Sequence, residues 1–168
     1  MAKIMHVRSH SATETVDVGR CIGVVAKASD VVLFFADLGT GKTTLSQGIA
    51  LGLGITEPIK SPTFTLMQTY QGRLPLMHFD AYRLEQEDEA MDIGLEEAME
   101  AEGLCLLEWA ERLPGLWPEA YLSIKMDRVD ETTRDLCFAA QGREGEEFLQ
   151  RLAQAWERAG IEYECTEH

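Results

Sequence analysis

Eight residues, Ala36-Asp37-Leu38-Gly39-Thr40-Gly41-Lys42-Thr43, match the phosphate-loop pattern G-x-x-x-x-G-K-[ST] at every position but the first. In such a loop the backbone amides point inward and make an anion cradle. The helix that follows adds its positive N-terminal end. Lys42 is the residue that reaches the outer phosphates of a nucleotide, and the Thr43 hydroxyl is a magnesium ligand. Asp37, Leu38, Gly39, Thr40, Gly41 and Thr44 complete the predicted nucleotide-binding stretch. Gly41 lets the chain approach phosphate closely, and Gly39 gives the bend its freedom. Ala36 is the departure: if that position needs a positive φ, an alanine there costs roughly 1 kcal/mol or more and weakens the site without abolishing it.

Magnesium–phosphate chemistry also needs a carboxylate at the end of another strand. Asp80 closes "LPLMHFD" and Glu108 closes "LCLLE". Each follows an apolar run, so each should emerge at the sheet edge beside the ligand. One can hold magnesium through water while the other orients the attacking water, and the residues leave open which does which. His78 lies two residues before Asp80 and shares its face, where it can orient Asp80, contact phosphate or be purely structural. Thr63 and Thr65 in "SPTFT" have the character of a switch segment whose hydroxyl senses a γ-phosphate. Trp109, next to Glu108, can stack on a base or sit in the core.

The elements that must hold these groups can be read in turn. Residues 3–8 read as a first strand. Ser11 and Glu14 form a capping box opening a helix to about Ala28, with Val18, Ile22, Val25 and Ala26 on one side. "VVLFF" (31–35) reads as a strand buried on both faces, and a helix from about Thr43 to Leu53 follows the loop. Residues 64–70 and 74–80 flank Gln71-Gly72-Arg73 as a hairpin. From Glu85 to Glu102 there are nine acids and no Lys or Arg, which predicts one or two helices with a solvated acidic face. Residues 104–109 are a second buried strand, and 121–127 with 134–140 an antiparallel pair, half exposed. An amphipathic helix over 146–160 ends at Gly160. The fold expected is α/β: a mixed, mostly parallel sheet flanked by helices, with an antiparallel portion. It forms a single phosphate-loop domain over residues 1–160 and a frayed polar tail over 161–168.

The formal charge of −14 argues against a protein that holds nucleic acid by its own surface, because phosphate binding needs Lys/Arg clusters. It leaves room for acting on RNA beside a basic partner. Cys21, Cys105, Cys137 and Cys165 include no C-x-x-C pair, and the first three sit in apolar stretches, as buried thiols of a reducing cytoplasm do. The first ten residues lack the apolar centre of a signal peptide.

In order and spacing, "ADLGTGKTT", "SPTFTL", "HFDAYRL" and "LLEW" closely resemble the bacterial TsaE (YjeE) family, over about residues 10–140. The resemblance implies a phosphate-loop α/β domain that hydrolyses ATP with magnesium in the tRNA threonylcarbamoyladenosine (t6A) pathway. It implies TsaD and TsaB as protein partners, with tRNA reached only through their complex and the ATPase supporting turnover of that complex. It puts Lys42 and Thr43 on the phosphate loop, Thr63 on the switch, Asp80 on the essential acid, and Glu108 with Trp109 on the second acid and its neighbour. Arg134 in "TTRD" stands where the family carries a Gly-Arg stretch before its last strand. The residues also admit a small-molecule kinase or a non-hydrolysing nucleotide-binding module. The kinase needs a basic lid, yet between Lys60 and Arg128 only Arg73, Arg83, Arg112 and Lys125 occur, scattered. The paired acids argue against the module.

Overall fold

The computed structural model describes residues 3–36, 40–59, 67–82, 90 and 94–167. Strand β1 (Lys3–Ser9) leads into α1 (Ala12–Val25) through Ser11, whose hydroxyl accepts from the Glu14 amide at 3.1 Å. The Glu14 carboxylate returns to the His10 amide rather than to that of Ser11, one residue earlier than a standard capping box. Strand β2 (Val31–Ala36) is followed by the phosphate loop and α2 (Lys42–Gly52). Strands β3 (Met67–Tyr70) and β4 (Leu76–Asp80) pair antiparallel as the expected hairpin. The acidic segment contributes α3 (Leu95–Glu100), which buries Leu95, Ala98 and Met99 and exposes Glu96, Glu97 and Glu100. Strand β5 (Leu104–Glu108), two single-turn 3₁₀ helices, β6 (Tyr121–Arg128), β7 (Arg134–Gln141), α4 (Gly142–Ala159) and β8 (Glu164–Glu167) complete the chain.

The eight strands form one sheet in the order β3-β4-β5-β2-β6-β7-β1-β8. Pairing is parallel across β4-β5-β2-β6 and antiparallel outside it. One face carries α1, α2 and α4 over a core that includes Ile22, Phe34, Ile49, Leu106, Phe138 and Trp156. The other is covered beneath β2, β4 and β5, where Leu33, Phe79 and Leu107 meet Leu95 and Leu113. Strand β2 therefore has both faces buried, which is why it reads as an unbroken apolar run.

Three expectations change. Residues 164–167 do not fray: they pair antiparallel with β1, Met5 opposite Cys165, because β1 has a free edge once β7 occupies its other side. The tail is drawn in by Tyr163, whose ring packs 5.5 Å from that of Trp156. Helix α4 also begins at Gly142 rather than 146, directly at the end of β7. Cys137 is only half-buried, whereas Cys21 and Cys105 are buried; burial pushes the Cys105 thiol up to about 12. Among the described residues no helix is long and apolar enough to cross a membrane.

Candidate nucleotide-binding site

The carboxyl ends of β2, β4 and β5 and the amino end of α2 converge at one edge of the sheet. Parallel pairing does this: Asp80 lies in register with Glu108, and Glu108 with Phe34, two residues before the end of β2. A carboxylate at the last position of each neighbouring strand thus faces the loop that leaves β2. Asp37, Leu38, Gly39, Thr63, Thr65 and Arg83 lie outside the described residues.

Helix α2 is held in place by α1 through direct backbone contact. A Cβ added at Gly48 would stand 2.3 Å from the Val16 carbonyl, and one at Gly19 2.4 Å from that of Leu45. The N-cap of α2 is Gly41, at φ 103° and ψ 28°, which contributes no side-chain capping bond. That conformation suits glycine alone among ordinary residues, and a glycine there brings no side chain of its own to the helix's amino end, where anions bind. Ala36 is simply the last residue of β2, paired with Met126. The non-glycine residues at positive φ among those described are Ser29 and Trp109, so Ala36 carries no left-handed strain. The penalty considered for this alanine does not arise.

Asp80 is half-buried, and its Oδ1 accepts from the Tyr82 amide at 2.9 Å. Burial raises its pKa; the Tyr82 hydrogen bond opposes the rise, the Glu108 charge adds to it, and Lys42 and His78 oppose it. Glu108 is almost wholly enclosed, at 2% exposure, and its carbonyl accepts from the Ala81 amide, tying β5 to the chain leaving β4. His78 Nε2 stands 3.2 Å from Glu108 Oε1. Among the described residues neither imidazole nitrogen completes a hydrogen bond, so this approach is a close contact short of one. His78 thus sits against Glu108, across the strand pair, and not against Asp80. Period-two spacing put it on the correct face, but only the β4–β5 register reveals its neighbour.

Lys42 Nζ lies 4.3 Å from the centre of the Trp109 ring, within cation–π range. Trp109 is in the left-handed region at φ 58°, uncommon for a bulky side chain. Its ring meets Tyr82 at 4.9 Å, and Arg112 lies over Tyr82 at 5.2 Å. The indole is placed beside the lysine of the loop pattern. Tyr82, which sequence reasoning did not single out, belongs to the site; the "HFDAYR" stretch was the available signal. Thr40 is buried, while Thr43 is exposed and Thr44 half-buried in the first turn of α2.

The donor set fits magnesium bound with a nucleotide. Hydroxyl and carboxylate oxygens (Thr43, Asp80, Glu108) are hard ligands of the kind magnesium takes. Among the described residues no three of His, Cys, Asp and Glu form a cage of their own. An ion here would therefore complete its shell with phosphate oxygens and water.

The sequence family described as "Threonylcarbamoyl adenosine biosynthesis protein TsaE" matches residues 9–136. The tRNA threonylcarbamoyladenosine biosynthesis protein TsaE of Bacillus subtilis is 40% identical over 147 residues, covering 87% of this chain and 92% of that protein. The protein of the same name from Treponema pallidum is 39% identical over 135 residues, covering 80% of this chain and all of that one. The crystal structure of Bacillus subtilis YdiB superposes with a TM-score of 0.77 at 34% identity, covering 92% of this chain and 97% of that chain.

Proposed function

The chain belongs to the TsaE family of threonylcarbamoyl adenosine biosynthesis proteins, and from that premise we propose that it binds ATP with magnesium and hydrolyses it in support of t6A formation on tRNA. The observation that carries the reading is the placement of two carboxylates, Asp80 and Glu108, in register on adjacent strands, at the same sheet edge as the amino end of a helix whose N-cap is Gly41 and whose first residue is Lys42.

Each residue has a role in this reading. The amides of the α2 first turn and Lys42 bind the phosphates; Thr43 and Glu108 hold magnesium. Bound magnesium would supply neutralisation of phosphate charge. Asp80 is the more accessible acid and orients the attacking water, with its raised pKa making it a better proton acceptor than an ordinary aspartate. Thr63 reports the γ-phosphate. Trp109 lies against Lys42 and limits the positions its ammonium can take, and Tyr82 packs on the indole that does so.

The protein partners proposed are TsaB and TsaD. A chain of net charge −14 is poorly suited to hold tRNA itself, so tRNA is reached through that complex, in the cytoplasm. The test is phosphate release with and without TsaB–TsaD. Slow release alone and faster release with the complex are expected, since no arginine finger is evident in the loop stretches. Equal, near-zero rates in both would sink the ATPase reading. Glu108→Gln should raise the magnesium concentration needed for tight ATP binding, and Asp80→Asn should slow turnover at nearly unchanged affinity. Lys42→Ala should abolish binding.

A further inference from the structure

Arg134, the first residue of β7, reaches from the β6–β7 turn to the phosphate loop. Its Nε donates to the Thr40 carbonyl at 2.5 Å. Its Nη1 donates to the carbonyls of Asp130 at 2.7 Å and Thr133 at 3.0 Å. The turn that supplies those two carbonyls is itself ordered. Asp130 Oδ1 accepts from the amides of Thr132 and Thr133, both at 2.9 Å, and the Thr133 carbonyl accepts from the Val129 amide at 3.0 Å. One guanidinium therefore spans two backbones, with a rigid turn behind it.

The consequence lies in the Thr40–Gly41 peptide. A trans peptide points its C=O and N–H to opposite sides, and no cis bond is present in the structure. With the Thr40 oxygen drawn to Arg134, the Gly41 N–H points away from Arg134. That amide has no hydrogen-bond partner among the described residues. Crowding does not set the orientation: a Cβ at Gly41 would have its nearest neighbours at 3.5 Å (Met126 Cε) and 3.7 Å (Arg134 Nε). A glycine with no closer contact than this can turn its peptide over at little cost, so a hydrogen bond has to fix it.

We propose that Arg134 is a positioning residue for nucleotide phosphate: by holding the Thr40 carbonyl it aims the Gly41 amide into the phosphate cradle, and the Asp130 turn anchors that hold. The proposal rests on the nucleotide-site reading above. It also makes the turn at residues 129–133, exposed except for Thr133 and lying outside the cradle, a determinant of nucleotide affinity.

Calorimetric titration with ADP and with magnesium–ATP tests it. Arg134→Ala weakens both nucleotides about tenfold, the scale of losing one oriented charge-assisted bond. Arg134→Lys recovers part of that loss, since an ammonium can still reach one carbonyl. Asp130→Ala keeps the guanidinium but loosens its anchor, and weakens binding about two- to threefold. The double variant is no weaker than Arg134→Ala alone. Arg8→Ala removes the ion pair to the adjacent β7 residue Asp135 and leaves both affinities unchanged. Arg134→Ala binding within twofold of the unmodified protein overturns the proposal, as does a lowered melting temperature with unchanged affinity. Should Arg134→Ala not fold, Arg134→Lys and Asp130→Ala carry the test, and unchanged affinity in both overturns it. If the unmodified protein binds neither nucleotide, the site reading fails along with the proposal; if it binds and the variants match it, only the proposal fails.

Discussion

Burial holds the Asp80 carboxyl above the usual carboxylate range; the Tyr82 amide pulls it down, Glu108 pushes it up, and Lys42 and His78 pull it down. The folded protein thus binds this proton more tightly than the unfolded chain does. Its contribution favours folding below the unfolded pKa, near 4, and is lost as pH rises through the folded value. Asp80→Asn keeps an oxygen for the Tyr82 amide and removes the buried charge. The nucleotide-free variant should melt higher than the parent at pH 7, and the gain should vanish at about pH 3, where both carry a neutral group. Thermal unfolding across that range checks it; a lower melting point at pH 7 would contradict the account. Ala36 gives a second prediction at this scale. Because it is a paired strand residue without positive φ, Ala36→Gly should leave nucleotide affinity unchanged and cost about 0.5–1 kcal/mol of stability. Sequence alone posed that question but could not answer it, since the loop pattern marks a glycine position without giving its φ. The lysine, the threonine and both acids were legible because their types and spacing are chemical requirements. The His78–Glu108 approach, the Lys42–Trp109 stack and the Arg134 brace were not, because each joins residues far apart in the chain.

At the scale of elements, the seating of α2 on α1 decides how well the loop can be held. Gly19 and Gly23 on α1 face Gly48 and Gly52 on α2, and an added Cβ at any of them would stand 2.1–2.4 Å from a carbonyl of the other helix. Backbone cannot yield as a flexible side chain can, so the helices would have to separate. Gly48→Ala should destabilise the fold by about 1–3 kcal/mol and weaken nucleotide binding through the displaced start of α2. The denaturation midpoint and ADP affinity would report both; an unaltered midpoint would mean that the contact is looser than the structure has it. The i, i+4 glycine spacing is visible in the sequence, yet a helical glycine there reads as well for weakness as for contact. Which helix it faces is a tertiary fact. Period and composition, by contrast, sufficed for α1, β2, α2 and the β3–β4 hairpin, where apolar patterning and turn residues agree.

The whole molecule separates a parallel half, where the site lies, from an antiparallel half that ends in β1 and β8. In the eight residues after Gly160, three glutamates, a threonine and a histidine outweigh the short alternation of Ile161, Tyr163 and Cys165, so the stretch reads as a polar tail although that alternation is enough for a short edge strand. What fixes β8 is outside its own sequence: the free edge of β1, and Tyr163, whose ring lies against Trp156 and whose hydroxyl donates to Glu157 at 2.5 Å. Removing residues 161–168 would uncover the β1 edge and part of Trp156, which is fully buried in the intact chain. The truncated protein should lose about 1–3 kcal/mol of stability. It should also self-associate with rising concentration, as exposed edges pair with one another. Nucleotide affinity should not change, since β6, β7 and β1 stand between β8 and β2. Sedimentation at several concentrations beside an ADP titration separates the two effects. A truncated chain that stays monomeric and equally stable would show β8 to be an ornament of the sheet, while a loss of ADP binding would show that the antiparallel half reaches the phosphate loop by more than Arg134.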